Sequence, residues 1–284
     1  MSHSNTAETL IESTLDRAIR AAMAAGEVLL RDRQTPLQVD RSFAHDIKLA
    51  ADRDAEAAIL NLLRAEDPEA SIHTEESGDF SGRSDHVWYI DPLDGTMNYY
   101  HGQHHYCTCV ACYQSGPDFA GIGTPLSGVV FAPDDDELFH AEPGEGAFCN
   151  GRRLQCSGVT CLADAIIGTS FGSDETTMMR MNHLFSKLLP ATRKLRILGS
   201  CGLDICQVAA GRLSALYQRD IRIWDFAAAA LIVHEAGGHV EIHQAERPGH
   251  WHVLATAPGI HEDLHRLLQA EEPQNWISFN PRNH

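Results

Sequence analysis

From about Ser157 to Ala270 the chain alternates between short strand-like runs and longer stretches with helical spacing, and no other feature constrains its fold as much. Strand-like runs at Ala165 to Thr169, Leu195 to Leu198 and Leu213 to Tyr217 are separated by helix-like segments from Thr176 to Leu189 and Leu203 to Ala210. A highly apolar helix from Asp225 to Ala236, closed by Gly237 and Gly238, leads to strands near His239 to His243 and Val253 to Thr256 and to a last helix from Ile260 to Ala270. Such alternation predicts a layered α/β unit.

The first half follows another pattern. Leu10, Ile11, Leu15, Ile19, Met23, Leu29 and Leu30 recur at helical spacing, and a second helix from about Asp52 to Ala65 puts Ala55, Ile59, Leu62 and Leu63 on one face. Short runs at Ala70 to His73, Val87 to Ile90, His105 to Tyr113, Val129 to Ala132 and Glu137 to Ala141 follow, divided by Gly, Pro and Asp clusters. Residues 1–156 are therefore expected to form two helices and a largely antiparallel sheet, and residues 157–284 an α/β half. No internal repeat or low-complexity linker separates them, so the halves are expected to pack as one body. The tail from Pro273 to His284 carries no functional signal.

Composition narrows the function classes. A net charge of −17, from 22 basic and 39 acidic residues, argues against broad affinity for nucleic acid or anionic membrane. The longest apolar run, Phe226 to Val233, is far short of the roughly 20 residues of a membrane span. The start, MSHSNTAETL, shows no secretory pattern, so a cytoplasmic location and reduced thiols are expected for the eight scattered cysteines. Cys107, Cys109 and Cys112 lie in HYCTCVACY, which alternates like a strand and lacks the paired Cys-x-x-Cys elements of a zinc site.

The segment Asp91 to Thr96, DPLDGT, directly after VWYI, is the most informative chemically. Two carboxylates three residues apart, with a proline fixing the backbone and a glycine permitting close approach, suit either a turn that holds a hard cation or an Asp-rich capped turn. Mutual repulsion would raise a carboxylate pKa unless a cation neutralises the pair. Gly95 and Thr96 amides could then receive phosphate. Glu75 and Glu76, in TEES, supply a further oxygen ligand at a strand end, and Asp225 opens the apolar helix as an N-cap or as a ligand on a rigid element. Oxygen-only ligands select magnesium, manganese or calcium over zinc or copper, and magnesium best suits a site that also takes water and phosphate.

TEES, DPLDGTMNYYHG, SGVVFAP, GEGAFCNGRRLQCS, RILGSCGLDICQVAAGRL and WDFAAAALIVHEAGG together cover most of the chain from about residue 40 to 270. In these segments the chain resembles the inositol monophosphatase family, within the lithium-sensitive, magnesium-dependent sugar phosphatase superfamily. The resemblance implies a layered αβαβα fold like that of fructose bisphosphatase, and hydrolysis of a small phosphate monoester with two or three Mg2+ ions. It makes Glu75, Asp91, the Leu93 carbonyl, Asp94 and Asp225 metal ligands, with Asp91 bridging two ions. Asp52 and Thr96, with Glu75, match the residues that activate the attacking water, and Leu93 to Thr96 and Asp225 border the phosphate. Gly199, Ser200, Cys201 and Gln218 match positions that contact the alcohol portion of the substrate. It further implies a homodimer and lithium inhibition.

Departures from the family pattern bear on substrate. Where Asp-x-x-Thr-x-x-Asp is usual, the chain has Asp46-Ile-Lys-Leu-Ala-Ala-Asp52, so Leu49 replaces threonine and Lys48 is an added charge, open to a surface ion pair or a phosphate contact. Arg41 stands where lysine is common, and Gln218 replaces a glutamate that contacts inositol hydroxyls. Histidinol phosphate, fructose 1,6-bisphosphate and an adenosine 3′,5′-bisphosphate are alternative substrates of the same chemistry. Because some bacterial relatives act in transcription complexes, a non-catalytic partner role is the alternative of a different class. His101, His104 and His105 are expected in surface or packing roles, and Trp224 beneath the start of the apolar helix.

Overall fold

The computed structural model describes residues 13–34, 37–42, 47–172, 175–271 and 275–281. Leu10, Ile11, Asp46 and Pro273, which figure in the sequence reading, lie outside these residues. The first helix, α1 (Thr14–Asp32), starts where the Ser13 hydroxyl accepts the Asp16 amide at 3.1 Å and the Asp16 carboxylate accepts the Ser13 amide at 3.3 Å. Strands β1 (Val39–Ser42) and β2 (Ile47–Leu49) pair antiparallel and lead into α2 (Ala50–Glu66).

The larger sheet is built from β3 (Ser71–Thr74), β4 (Gly78–Phe80), β5 (His86–Asp94), β6 (Cys107–Gln114), β7 (Thr124–Ala132), β8 (Glu137–Glu142), β9 (Gly146–Cys149) and β10 (Arg152–Arg153). Their spatial order is β10-β9-β8-β7-β6-β5-β3-β4, and β3 with β5 is the parallel pair. Short helices α3 (Thr96–Tyr100) and α4 (Asp118–Gly121) follow β5 and β6; Phe119 and Ala120 in α4 take left-handed angles (φ 46° and 59°).

The second half contributes β11 (Ile166–Thr169), α5 (Glu175–Ala191), β12 (Lys194–Arg196), α6 (Cys201–Ala209) and β13 (Ala215–Ile221). It continues with α7 (Ile223–Glu235), β14 (His239–Gln244), β15 (Trp251–Thr256), α8 (His261–Glu271) and β16 (Ile277–Ser278). The smaller sheet runs β12-β11-β13-β15-β14-β16, with β11 parallel to β12 and β13 and the other pairs antiparallel.

Strand periodicity sorts the core. Trp88, Ile90, Val110 and Cys112 of the larger sheet pack with α1 and α2, while Val87, Tyr89, Cys109, Ala111 and Tyr113 pack with α6 and α7. Helix α7 is apolar on every side because Phe226 to Val233 are all buried between the two sheets. Its alanines let the larger sheet come close: a Cβ on Gly128 would stand 2.5 Å from the Ala228 carbonyl oxygen, and the Tyr113 hydroxyl donates to the Ala227 carbonyl at 2.9 Å. With α5 and α8 outside the smaller sheet, the order of layers is αβαβα, the architecture the sequence predicts. Among the described residues no helix is long and apolar enough to cross a membrane.

Candidate functional site

The site begins with strand parity. On β5, Val87 and Tyr89 face α7, so Asp91 falls on the same side, where α7 begins with Asp225 at its third residue. The expected end of β5 at Ile90 is too early, because pairing with β6 continues through Asp91↔Cys109 and Asp94↔Cys107. Three steps along β5 therefore match two along β6. This one-residue bulge returns Asp94 to the face of Asp91, where regular pairing would have put Leu93 opposite Cys107. Leu93 instead packs with α1 and α2. Pro92 sits inside the irregularity, beyond the end of β3 pairing at Ile90, so its missing N–H breaks no ladder bond.

The acids are fixed by hydrogen-bond donors, some from a distant element and some from their own. Asp94 accepts the Ser200 hydroxyl at 2.6 Å and the Cys201 and Gly202 amides at 3.1 and 2.7 Å, at the start of α6. The Glu75–Glu76 turn is shaped by Glu56 of α2, whose Oε2 accepts the Thr74 hydroxyl at 2.6 Å and the amides of Glu76 and Ser77. Asp225 and Asp52 occupy the third position of α7 and α2, not the N-cap. Each turns one oxygen back to the N-cap amide, Arg222 and Leu49 respectively, at 2.8 Å. In this way one carboxylate oxygen secures the helix start and the other stays available. The Thr96 hydroxyl lies 3.0 Å from the Leu93 carbonyl and 3.3 Å from Asp52 Oδ1, linking the β5 end to α2.

The carboxylates share one electrostatic environment. Asp91 is held well above the ordinary carboxylate range by burial and then by the charges of Glu75, Asp94 and Asp225. Asp225 is raised in the same way by burial and by Glu75 and Asp94. Burial also raises Asp94 despite its donors, and pushes Asp52 up to about 7 with Glu76 and Glu75 adding to the rise. Among the described residues the cation paired with these acids is Lys48, whose ammonium meets Glu75 at 2.5 Å and Glu76 at 2.7 Å. Burial opposes its charge, yet the two glutamates outweigh that and hold it well above the ordinary lysine range. Of the two readings of Lys48, the structure selects an ion pair, and with the glutamates of the site. Several acids around one ammonium leave unbalanced negative charge, and an oxygen-only donor set of this kind fits a hard divalent cation.

Sulfur also reaches the site. Cys107 Sγ lies 3.5 Å from Asp94 Oδ2 and from Ser200 Oγ and 3.7 Å from Cys109 Sγ, so the alternating strand delivers two thiols to a carboxylate. Burial raises Cys107, and the contact with Cys107 followed by burial raises Cys109, so both thiols stay protonated and are poor ligands. All eight cysteines are free.

The remaining predicted residues divide. Gly95 (φ 91°) needs a left-handed backbone, and a Cβ there would stand 3.0 Å from the His105 carbonyl oxygen. Ser200 and Cys201 are buried and hold Asp94; Gly199 is exposed beside Asn98. Asn98 donates to the carbonyls of His105 and Leu198, both at 2.7 Å, tying those two loops together. Gln218 is half-buried on β13 beside a register shift, with its backbone paired to Val253. His105 bonds buried Asp204 of α6 at 2.7 Å, and the Arg222 guanidinium lies 5.5 Å from the Trp224 ring centre. A cleft of about 370 Å³ opens beside Glu75 and Glu76 and is lined by Asp40, Arg41, Lys48 and Arg53. Sequence reasoning missed Glu56, Asn98 and Gly202. Asn98, inside DPLDGTMNYYHG, and Gly202, inside RILGSCGLDICQVAAGRL, lie in matched segments, whereas Glu56 carried no such signal.

Comparison with known proteins agrees with this architecture. The family model described as "Inositol monophosphatase family" matches residues 11–272. A Nus factor SuhB from Pasteurella multocida is 36% identical over 263 residues, covering 90% of this chain and 95% of that one. An inositol-1-monophosphatase from Rhizobium meliloti is 36% identical over 232 residues, covering 79% and 83%. The solved inositol monophosphatase from Anabaena (Nostoc) sp. superposes with a TM-score of 0.76 at 33% identity, covering 91% and 96%. From the matched segments, the layer order and these likenesses together, the chain belongs to the inositol monophosphatase family.

Proposed function

We propose that this protein is a magnesium-dependent phosphatase that hydrolyses a small phosphate monoester of a sugar, polyol or related alcohol. The observation that carries this reading is the group of Glu75, Asp91, Asp94 and Asp225, in which burial and the charges of the other three acids raise Asp91, and burial with the charges of Glu75 and Asp94 raises Asp225. These four acids, with the Leu93 carbonyl, would hold two or three Mg2+ ions. When bound, the ions supply Lewis-acid stabilisation of phosphate charge and of the departing alkoxide. The rest is positioning and proton handling by the chain. Thr96 has a single hydroxyl proton. When it points to Asp52, its lone pair accepts a hydrogen from the attacking water, and Asp52, raised to about 7, is suited to hold a proton near neutrality. Glu75 borders the same water. Backbone amides of Gly95 and Thr96 receive the phosphate, and Gly199 and Gln218 border the alcohol, where an amide in place of a carboxylate favours neutral hydroxyls.

A phosphate-release panel of inositol, histidinol, fructose bis- and adenosine bisphosphates, with Mg2+ and with chelator, tests the reading. Release that needs Mg2+ is expected from at least one member. No release from any of them would remove the proposal. The names of several relatives favour a second reading, a partner in a transcription complex, because "Nus factor SuhB" is printed for the Pasteurella and Pseudomonas aeruginosa proteins. Recovery of transcription factors on the native chain, together with a silent panel, would establish it instead. Cytoplasmic location and a homodimer accompany the first reading; light scattering checks the latter.

A further inference from the structure

On the outer face of the smaller sheet, away from α7, a second polar cluster joins β14 to α8. His261 and His265 are one turn apart on α8 and so present the same side of that helix. Between them stands Glu241 of β14, nearly buried at 7% exposure. His265 Nδ1 lies 2.6 Å from Glu241 Oε2, and His261 Nε2 lies 3.7 Å from Oε1. The three ligand atoms all fall within 4.8 Å of one another.

The surroundings are arranged as for a metal site. Thr256 Oγ1, 3.0 Å from His261 Nδ1, fixes that ring so that Nε2 faces the carboxylate. The Ser278 hydroxyl donates to Glu241 Oε1 at 3.3 Å, and the His239 ring stacks on His261 with centroids 4.6 Å apart. Ligand bonds of about 2.0–2.1 Å in a tetrahedron put ligand atoms about 3.3 Å apart. The three ligand atoms, already within 4.8 Å of one another, stand within about 1.5 Å of that spacing. Two imidazoles and one carboxylate suit zinc and its neighbours, not magnesium.

We propose that Glu241, His261 and His265 form a binding site for a borderline transition-metal ion, zinc above all, that is separate from the carboxylate cluster and clamps α8 onto the smaller sheet. Three protein ligands leave one position for water.

Calorimetric titration of the chelator-treated, Mg2+-loaded full chain with Zn2+ is the test, with Co2+ as a spectroscopic probe. One equivalent of Zn2+ is expected to bind and to raise the melting temperature, and Co2+ should give the strong visible bands of a tetrahedral site. His261→Ala and His265→Ala should each weaken Zn2+ binding by about 100-fold, beyond the loss typical of outer partners. Asp94→Asn should leave it unchanged. If His265→Ala fails to fold, His265→Gln, which keeps a hydrogen bond to Glu241, replaces it. Zn2+ binding that survives both histidine changes but is lost in Asp94→Asn would overturn the proposal. So would a wild-type chain that gives no tetrahedral Co2+ spectrum, which would leave the cluster a hydrogen-bonded brace.

Discussion

Asp91 and Glu241 are both nearly buried carboxylates on strands, at 2% and 7% exposure, yet their acidities move in opposite directions. Burial raises Asp91, and three neighbouring acids raise it further. Burial pushes Glu241 the same way, but hydrogen bonds from His261 and His265 reverse the result and hold it below the ordinary glutamate range. Partner chemistry therefore decides the charge state of a buried acid where burial alone does not. Asp91 meets like charges that oppose its ionisation, whereas Glu241 meets imidazole donors that favour it. The larger sheet, on its α7 side, and the smaller sheet, on its α8 side, thus hold opposite solutions.

The sharpest way to break this contrast is to remove charge from the acid cluster. Asp94→Asn and Asp225→Asn keep size and a hydrogen-bonding group, so circular dichroism should show an intact fold. With these acids as metal ligands, as proposed, losing one forfeits several kcal/mol of transition-state stabilisation, or about 10³-fold in phosphate release at saturating Mg2+. Near wild-type turnover in either variant would detach the acids from catalysis.

A thermal measurement comes next. For acids with raised folded pKa, stability is present below the unfolded pKa and is lost as pH rises through the folded value. For Asp52 this window runs from 3.8 to about 7, and Asp91 and Asp225 add to it from above the carboxylate range. The metal-free chain should therefore lose melting temperature between pH 5 and pH 8. Magnesium at about 100 times its Kd contributes ~2.7 kcal/mol, so it should restore about 5 °C at pH 8 and much less at pH 5. An equal Mg2+ shift at both pH values would mean that the acids are not short of a counter-charge.

Much of the acid cluster was legible because its signals are local. Asp91, Asp94, Glu75 and Asp225 each lie at the end of a strand or the start of a helix whose periodicity marks that end. The bulge that puts Asp91 and Asp94 on one face was not legible, since it exists only in the register between β5 and β6. Nor were the donors to Asp94, which come from Ser200 to Gly202, more than a hundred residues on. Glu56 read as one polar position of an amphipathic helix. The Glu241 cluster shows the limit most clearly: His261 and His265 had visible helical spacing, but their partner depends on which face of β14 meets α8. The change in alternation marked an α/β second half and the family resemblance implied the layer order, whereas short elements such as α3 and β16 fall below the length at which periodicity speaks.

Glu241→Gln probes the other side of the contrast. A folded pKa below the unfolded one means that the contribution is in place above the ordinary glutamate range and fades as pH falls through the folded value. Charge-assisted hydrogen bonds of this kind contribute ~1.5 kcal/mol or more. The variant should melt about 3–5 °C lower at pH 7, with the gap closing below pH 4. A gap independent of pH would assign the loss to packing.

Lys48 is the place where the acid cluster borrows the solution used at Glu241. Its ammonium bridges Glu75 and Glu76, and Leu49 and Ala50 follow it into α2, so a short strand carries the cation to the metal side of the fold. On the proposed reading this ammonium competes with magnesium for Glu75. Removing it with Lys48→Met keeps the stem's length and packing while freeing that carboxylate. Because the ammonium is partly exposed, the pair is worth only ~1 kcal/mol, which corresponds to about fivefold. Half-saturation by Mg2+ should therefore fall by about fivefold in Lys48→Met, read by calorimetry, so that the result does not depend on turnover. If the Mg2+ requirement rises instead, Lys48 organises Glu75 for the ion and does not compete with it, and the two clusters are more alike than their acidities suggest.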